Sequence, residues 1–267
     1  MKSRRDRLRE ATVREITGTA RRILVEQGPQ AVTLRAIARE MGMTAPALYR
    51  YFGSHEELLR HLIAEIFGEL TDALREGLHA LPGGDMSAKF LTAARTFRRW
   101  AFAHRREYAL VFGAPLPGLA VHADHGVQAD LAEENARQFG WTFLMLYLEL
   151  WRKHPFPIAD EEDIDPRLRE QLRRYRELAL GGLDLPLGVL QAFLQCWMRL
   201  QGAVSLEVFG HLAFALDDAE PMFELMLIEI AADLGLEYAS PACAQAGDAT
   251  PGEPRLPEEP RLPGEPQ

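Results

Sequence analysis

The sequence predicts an all-α fold, a three-helix helix-turn-helix head joined to a larger helical domain. Three observations predict it. Apolar residues recur at helical spacing through most of the chain, and no stretch of useful length alternates with the period of a strand. Capping and turn residues cluster between positions 33 and 58, marking two short helices and the start of a third. Charge also divides along the chain: residues 1–60 carry 12 Lys/Arg against 7 Asp/Glu, and the remainder 18 against 32. A net charge of −9 therefore conceals a basic head on an acidic body, the balance expected of a nucleic-acid-binding head on a domain with another task.

The first helix is expected over residues 8–27, where Leu8, Ile16, Ala20, Ile23 and Leu24 keep helical spacing and Gly28-Pro29 stops it. Residues 1–8, with Lys2, Arg4, Arg5 and Arg7, read as a basic arm that neutralises phosphates or enters a minor groove; the alternative is a frayed, solvated terminus. Thr33 caps a second helix carrying Leu34, Ile37, Ala38 and Met41, and Gly42 supplies its left-handed end. Thr44 caps a third helix, with Pro46 in the first turn, where a missing N–H costs nothing. Two short helices around a glycine turn are the helix-turn-helix pattern, here over 9–55. At about 100° per residue, Leu48 and Phe52 face inward and Pro46 and Arg50 outward, with Ala47 and Tyr49 on the flanks.

Ser54-His55-Glu56-Glu57 is a capping box that opens a longer helix, apolar from Leu58 through Leu78 and broken at Leu81-Pro82-Gly83-Gly84. That helix leaves the head and runs into the body, residues 56–239. Further helices are expected over 86–104, 106–112, 128–153, 166–180, 187–212 and 221–234, with a loop at 113–126 and an acidic surface loop at 155–166. Seven of the 17 prolines fall in the last 28 residues, where Glu-Pro-Arg-Leu-Pro occurs twice, so 240–267 reads as a disordered Pro-rich tail.

Several function classes find no support. No apolar run approaches the roughly 18–20 residues of a membrane span, and the charged N-terminus has no apolar core behind it, so a cytoplasmic protein is expected. Cys196 and Cys243 make no disulfide framework. No phosphate-binding glycine loop, nucleophile elbow or zinc-protease motif is present, so neither an enzyme nor a cofactor is expected. His122, Asp124 and His125 form one metal-like cluster, but a second cluster at ligand spacing is missing and surface polarity is the better reading.

Residues 9–60 resemble the DNA-binding head of the TetR/AcrR family of bacterial transcriptional regulators. The resemblance is carried by the first helix ending at Gly28, by Val32-Thr-Leu-Arg-Ala-Ile-Ala38, by Gly42-Met-Thr44, by Ala47-Leu-Tyr-Arg-Tyr-Phe52 and by Ser54 through Leu58. His104–Phe112 and Trp197–Gly210 look like the C-terminal domain of a subgroup with a Trp-His-Gly signature, although Gln201 stands where that signature has His. The resemblance implies a ligand-responsive regulator, most often a repressor, acting as a homodimer on a palindromic double-stranded operator. It puts Thr33 and Tyr49 on phosphates, Arg35, Ala45, Pro46, Ala47 and Tyr51 near base edges, and Arg50 at the backbone. Thr44 and His55 complete the set, His55 standing where the family often has a phosphate-binding Lys. By the same analogy the helices at about 187–212 and 221–234 pair with their copies.

For an effector, the aromatic-rich body suggests a large apolar cavity with a few polar anchors, suited to a lipophilic small molecule. The candidate lining is Phe97, Trp100, His104, Tyr108, Phe143, Tyr147, Trp151, Phe193, Cys196, Trp197 and Gln201. Ordinary core packing is the competing reading of each aromatic residue. The competing function is a regulator of the same fold with no small-molecule effector, controlled by a protein partner.

Overall fold

The computed structural model describes residues 3–81, 83–113, 131–178 and 180–241. Among these residues the chain is helical throughout, with no strand. The helices are α1 (Arg4–Gln27), α2 (Leu34–Glu40), α3 (Ala45–Leu48), α4 (His55–His79) and α5 (Met86–Ala103). They continue as α6 (Arg105–Phe112), α7 (Leu131–Lys153), α8 (Pro166–Leu178), α9 (Leu187–Val208) and α10 (Glu220–Asp233). The 113–126 loop from Ala114 onward, with its His122, Asp124 and His125, and the tail from residue 242 lie outside the described residues.

Helix α1 starts earlier than its apolar spacing indicates. Ser3 Oγ accepts the Asp6 N–H and the Asp6 carboxylate accepts the Ser3 N–H, both at 3.1 Å. This reciprocal cap makes a first turn of residues expected to form a basic arm. Arg4, Arg5 and Arg7 are therefore exposed helical side chains.

In the head the core is built from Ile16, Ala20, Ile23 and Leu24 of α1, Leu34 and Ile37 of α2, Leu48 and Phe52 of α3 and its exit, and Leu58, Leu59 and Leu62 of α4. Helix α4 then buries Ile66, Phe67, Leu70 and Leu74 in the body. Its 25 residues span about 37 Å at 1.5 Å per residue. One helix thus carries a single continuous core from the head into the body.

In the body, α7 and α5 flank α4, and α9 packs on α5, α7 and α8. Between them lies an aromatic cluster drawn from five helices: Phe67, Phe97, Phe112, Phe139, Phe143 and Trp197. Their centroids stand close together, with Phe139–Phe143 at 5.3 Å and Phe97–Trp197 at 5.6 Å, mostly edge-on or tilted as ring quadrupoles favour. Charged pairs fasten α5 to the last helices: Arg98 to Glu207 at 2.6 Å and Arg95 to Glu224 at 2.7 Å. Asp165 caps α8, its carboxylate accepting the Arg167 and Leu168 N–H groups at 2.9 and 3.2 Å. Helix α9 ends at Val208 rather than 212, because Gly210 turns the chain with φ +74°.

Candidate nucleic-acid interface and ligand cleft

Helix α2 begins where Thr33 Oγ1 accepts the Ala36 N–H at 3.1 Å. It ends at Gly42, whose φ of +64° lets the Met43 N–H return to the Ala38 carbonyl at 2.8 Å. Thr44 does not cap α3 with its side chain, contrary to expectation. Its carbonyl alone serves, accepting from Ala47 N at 2.9 Å and Leu48 N at 3.2 Å, and the residue itself is exposed.

Helix α3 is four residues long, yet its faces fall as its spacing predicts. Leu48 and Phe52 are buried, whereas Pro46 and Arg50 are exposed and Tyr49 is 53% exposed. Ala45, Ala47 and Tyr51 are half-buried, and Thr33 and Arg35 are exposed on the neighbouring turn and helix. The outer surface is thus small at the helix start, and Arg35 and Arg50 are its exposed arginines. Arginine in such a place can pair bidentately with guanine or contact phosphate.

Two residues of the head act differently from their sequence reading. His55 turns inward: its Nε2–H donates to the Val32 carbonyl at 2.6 Å. The imidazole, shorter than a lysine side chain, is used to tie α4 to the turn before α2, so the phosphate contact expected of it is not prepared. Next to it, Ser54 Oγ accepts the Glu57 N–H at 3.1 Å, while the Glu57 carboxylate reaches the Gly53 N–H at 2.6 Å instead of that of Ser54. Arg9, outside the expected site, donates to the Arg50 carbonyl at 3.2 Å and lies 5.4 Å over the Tyr51 ring. It holds the exit of α3 against α1.

A buried charge joins head to body. Arg21 of α1 lies between Glu69 of α4, with which it pairs closely, and Glu107 of α6 at 3.2 Å. The hydrogen bond to Glu69 is the largest influence holding its guanidinium above the usual arginine range. Glu107 is only 5% exposed. Thr17 adds a hydrogen bond to Glu65 at 3.0 Å. The residue after Glu107 faces the other way: the Tyr108 hydroxyl meets Ser205 Oγ of α9 at 2.8 Å, and Gln201 Nε2 donates to the same oxygen at 3.0 Å. Burial pushes the Tyr108 phenol above its ordinary range. Helix α6 therefore touches α1 with one side chain and α9 with the next.

The expected large apolar cavity is instead a packed cluster. Of its candidate residues, Phe143, Tyr147, Phe193, Cys196 and Trp197 line a cavity of about 20 Å³, little more than one water could fill. Phe97 and Tyr108 are core residues with no exposed surface. Trp100 stacks on His104 at 4.6 Å, Trp151 packs on Phe156 at 5.1 Å, and Gln201 is engaged by Ser205. Aromatic rings at helical spacing satisfied each other, consuming the surface that would have lined a pocket.

Open space lies on the other side of Tyr147 and Cys196. A cleft of about 550 Å³ is bounded by the end of α7 with residues 154–157, by α9 and by α10. Phe156, Ile230 and Leu234 give it apolar walls, and Gln195, Arg199 and Asp233 polar ones. Arg199 donates to Asp233 and to Glu229, each at 2.8 Å. At the start of α9, Gly188 makes room for Ala159: a Cβ there would stand 2.3 Å from the Ala159 carbonyl oxygen, so glycine lets the segment after the cleft's loop lie against the helix. Burial pushes the Cys196 thiol up to about 12 and drives the Tyr147 phenol far above its ordinary range. The Tyr147 hydroxyl is buried and has no hydrogen-bond partner among the described residues. Among the described residues no group of His, Cys, Asp and Glu is placed to hold a metal, and no helix is long and apolar enough to cross a membrane.

Residues 16–62 match bacterial regulatory proteins of the tetR family, and residues 90–230 match a tetracyclin repressor-like C-terminal domain. Rv1816 of Mycobacterium tuberculosis and Mb1846 of Mycobacterium bovis, both HTH-type transcriptional regulators, are 31% identical over 207 residues, 78% of this chain and 84% of theirs. The HTH-type transcriptional regulator BetI of Rhizobium meliloti is 39% identical over 57 residues, 21% of this chain and 28% of its own. Among solved structures, SCO4313, described as a regulatory protein, has a TM-score of 0.65 at 28% identity, covering 86% of this chain and 100% of its own. The chain belongs to the TetR family and is a DNA-binding transcriptional regulator.

Proposed function

We propose that the protein is a ligand-responsive repressor that binds a palindromic operator as a homodimer. Thr33, Arg35, Thr44, Ala45, Pro46, Ala47, Tyr49, Arg50 and Tyr51 form the reading surface, Arg35 making the principal base contact and Arg50 a backbone contact. The observation that carries this reading is α4. Because its first half packs among head residues and its second half among body residues of one continuous core, any body rearrangement that tilts it changes where α3 lies. An effector shifts DNA affinity only by its differential binding to the two postures.

The dimer reading is supported by α9 and α10. Met198 is 66% exposed, Met222 53%, Leu225 48% and Ile228 42%, so α10 is apolar on its outer face as well as its inner one. A self-complementary face of this kind suits an isologous interface. Two heads related by such an axis would read half-sites about 34–36 Å apart.

The packed aromatic cluster favours a second reading, a regulator with no small-molecule effector that answers to a protein partner. Thermal shift against a metabolite panel, followed by operator binding at stated salt, separates the two. A compound that raises the melting temperature and releases DNA supports the repressor. Stabilising compounds that leave operator affinity unchanged across the panel refute it.

A further inference from the structure

The exposed apolar surface of the chain is concentrated in one place. Of the eleven large apolar side chains exposed among the described residues, seven lie between Met198 and Ile228. On α9 the outward seam runs Gln195, Met198, Gly202, Leu206 and Phe209, of which Gly202 is half-buried and the others exposed. At 100° per residue these five fall within about 80° of one another.

Their spacing, 3-4-4-3, reads the same in both directions about Gly202. A pair of identical antiparallel helices related by a two-fold axis needs that property, because each residue meets the one equally far beyond the axis. With the axis at Gly202, Met198 faces the partner's Leu206 and Gln195 faces the partner's Phe209. Glycine at the centre weakens the helix relative to alanine, and an added Cβ would meet nothing within this chain. What it provides is a flat spot where a second backbone can come close. On α10, Met222, Leu225 and Ile228 repeat the symmetry, spaced 3-3 about Leu225.

The same register reaches the cleft. Gln195 stands on the cleft wall, so the partner's Phe209 and the turn after it arrive at its mouth. That turn has a fixed shape: the Leu212 carbonyl accepts the Ala215 and Leu216 N–H groups at 3.0 Å, and the Gly210 carbonyl that of Ala213 at 3.2 Å. It leaves Phe214 88% exposed, while the cleft offers apolar walls at Phe156, Ile230 and Leu234. Charge matches as well. Asp217 and Asp218 are exposed on the turn, and Arg152 and Lys153 are exposed just before the cleft wall begins at His154.

We infer that a second copy of this chain lies antiparallel across α9 with the two-fold axis at Gly202, and that the α9–α10 turn of each chain, carrying Phe214, closes the cleft of its partner. The inference rests on the homodimer reading and supplies its register. Each cleft is then incomplete in a single chain.

Sedimentation equilibrium of the full chain and single-cysteine cross-linking test it together, the latter in a Cys243→Ser background with the parent as control for Cys196. Gly202→Cys is expected to link to its own copy under mild oxidation; its dissociation to monomer would equally place the contact there. Gln195→Cys and Phe209→Cys are expected not to link, because each lies about 21 Å from its own copy along the helices, beyond the roughly 7 Å that a disulfide spans. Phe214→Ala re-exposes two cleft faces per dimer and is expected to raise the dimer dissociation constant about 10²- to 10⁴-fold. Gln195→Trp fills the cleft mouth and should weaken the dimer too, and on that background Phe214→Ala should have little further effect. A Gly202→Cys dimer that stays unlinked, linking of Gln195→Cys or Phe209→Cys, an unchanged constant for Phe214→Ala, or additive effects of Phe214→Ala and Gln195→Trp would each overturn the inference while leaving the homodimer reading in place. A parent chain that is monomeric at every concentration overturns both.

Discussion

The clamp of Arg21, Glu69 and Glu107 gives an unequal prediction for its two ends. The Glu107 side chain is 7% exposed and that of Arg21 24%. Arg21→Ala leaves the Glu107 carboxylate buried without that cation, a change that costs about 3–5 kcal/mol. Glu107→Ala leaves Arg21 with Glu69, whose side chain is 48% exposed, so the loss is nearer that of one charge-assisted hydrogen bond, about 1.5–3 kcal/mol. In the double variant the stranded carboxylate is gone. Its cost should therefore fall short of the sum of the single costs by roughly 1–3 kcal/mol, the coupling expected of residues in contact. Urea unfolding of all four proteins at one concentration measures this. Both singles should also weaken operator binding, since the clamp sets α1 against α4 and α6. Additivity within about 0.5 kcal/mol, or an Arg21→Ala cost below that of Glu107→Ala, would refute the assignment of Glu107 as a buried partner dependent on Arg21.

Three further outcomes are expected. Tyr147→Phe removes an unpaired buried hydroxyl and should leave the ligand-free protein at least as stable as wild type, by up to about 1–3 kcal/mol; a lower melting temperature would show that the hydroxyl is paired. Arg35→Ala should reduce the preference for operator over random DNA, worth about 1–3 kcal/mol at one guanine, whereas Arg50→Ala should weaken both DNAs alike; competition binding distinguishes them, and equal losses for both variants contradict the assignment. Gly42→Ala meets no neighbour but must hold a φ of +64°, costing about 1–2 kcal/mol, while Gly18→Ala inside α1, also in open space, should stabilise by roughly 0.8–1 kcal/mol; opposite shifts in melting temperature are the expected result.

What the sequence made legible is what short-range rules decide. Gly42, the Ser54 cap and the inward pairing of Leu48 with Phe52 are consequences of neighbours within a few residues, and all three are found. The Ser3–Asp6 cap is equally local; the basic residues around it drew the reading toward an arm. The pairings that the sequence did not reveal depend on distant partners. His55 bonds a carbonyl 23 positions away, Arg9 one 41 away, and Arg21 a carboxylate 86 away. None of these pairings leaves a periodic trace. The aromatic set shows the same boundary: helical spacing sends Phe97, Phe139 and Phe143 inward, but whether they enclose space or fill it depends on how five helices meet. Tyr147 looked like one more of that set. Only the tertiary arrangement puts it between a small cavity and an open cleft.

The most direct test of a dimeric, sequence-reading regulator is the stoichiometry and salt-resolved affinity of the full chain on the palindrome nearest its gene, against the same DNA with one half-site scrambled. Two chains per palindrome, with a preference over random DNA of at least about 10³-fold at physiological salt, is the predicted result. One chain per site, or equal affinity for intact and scrambled DNA, would contradict it.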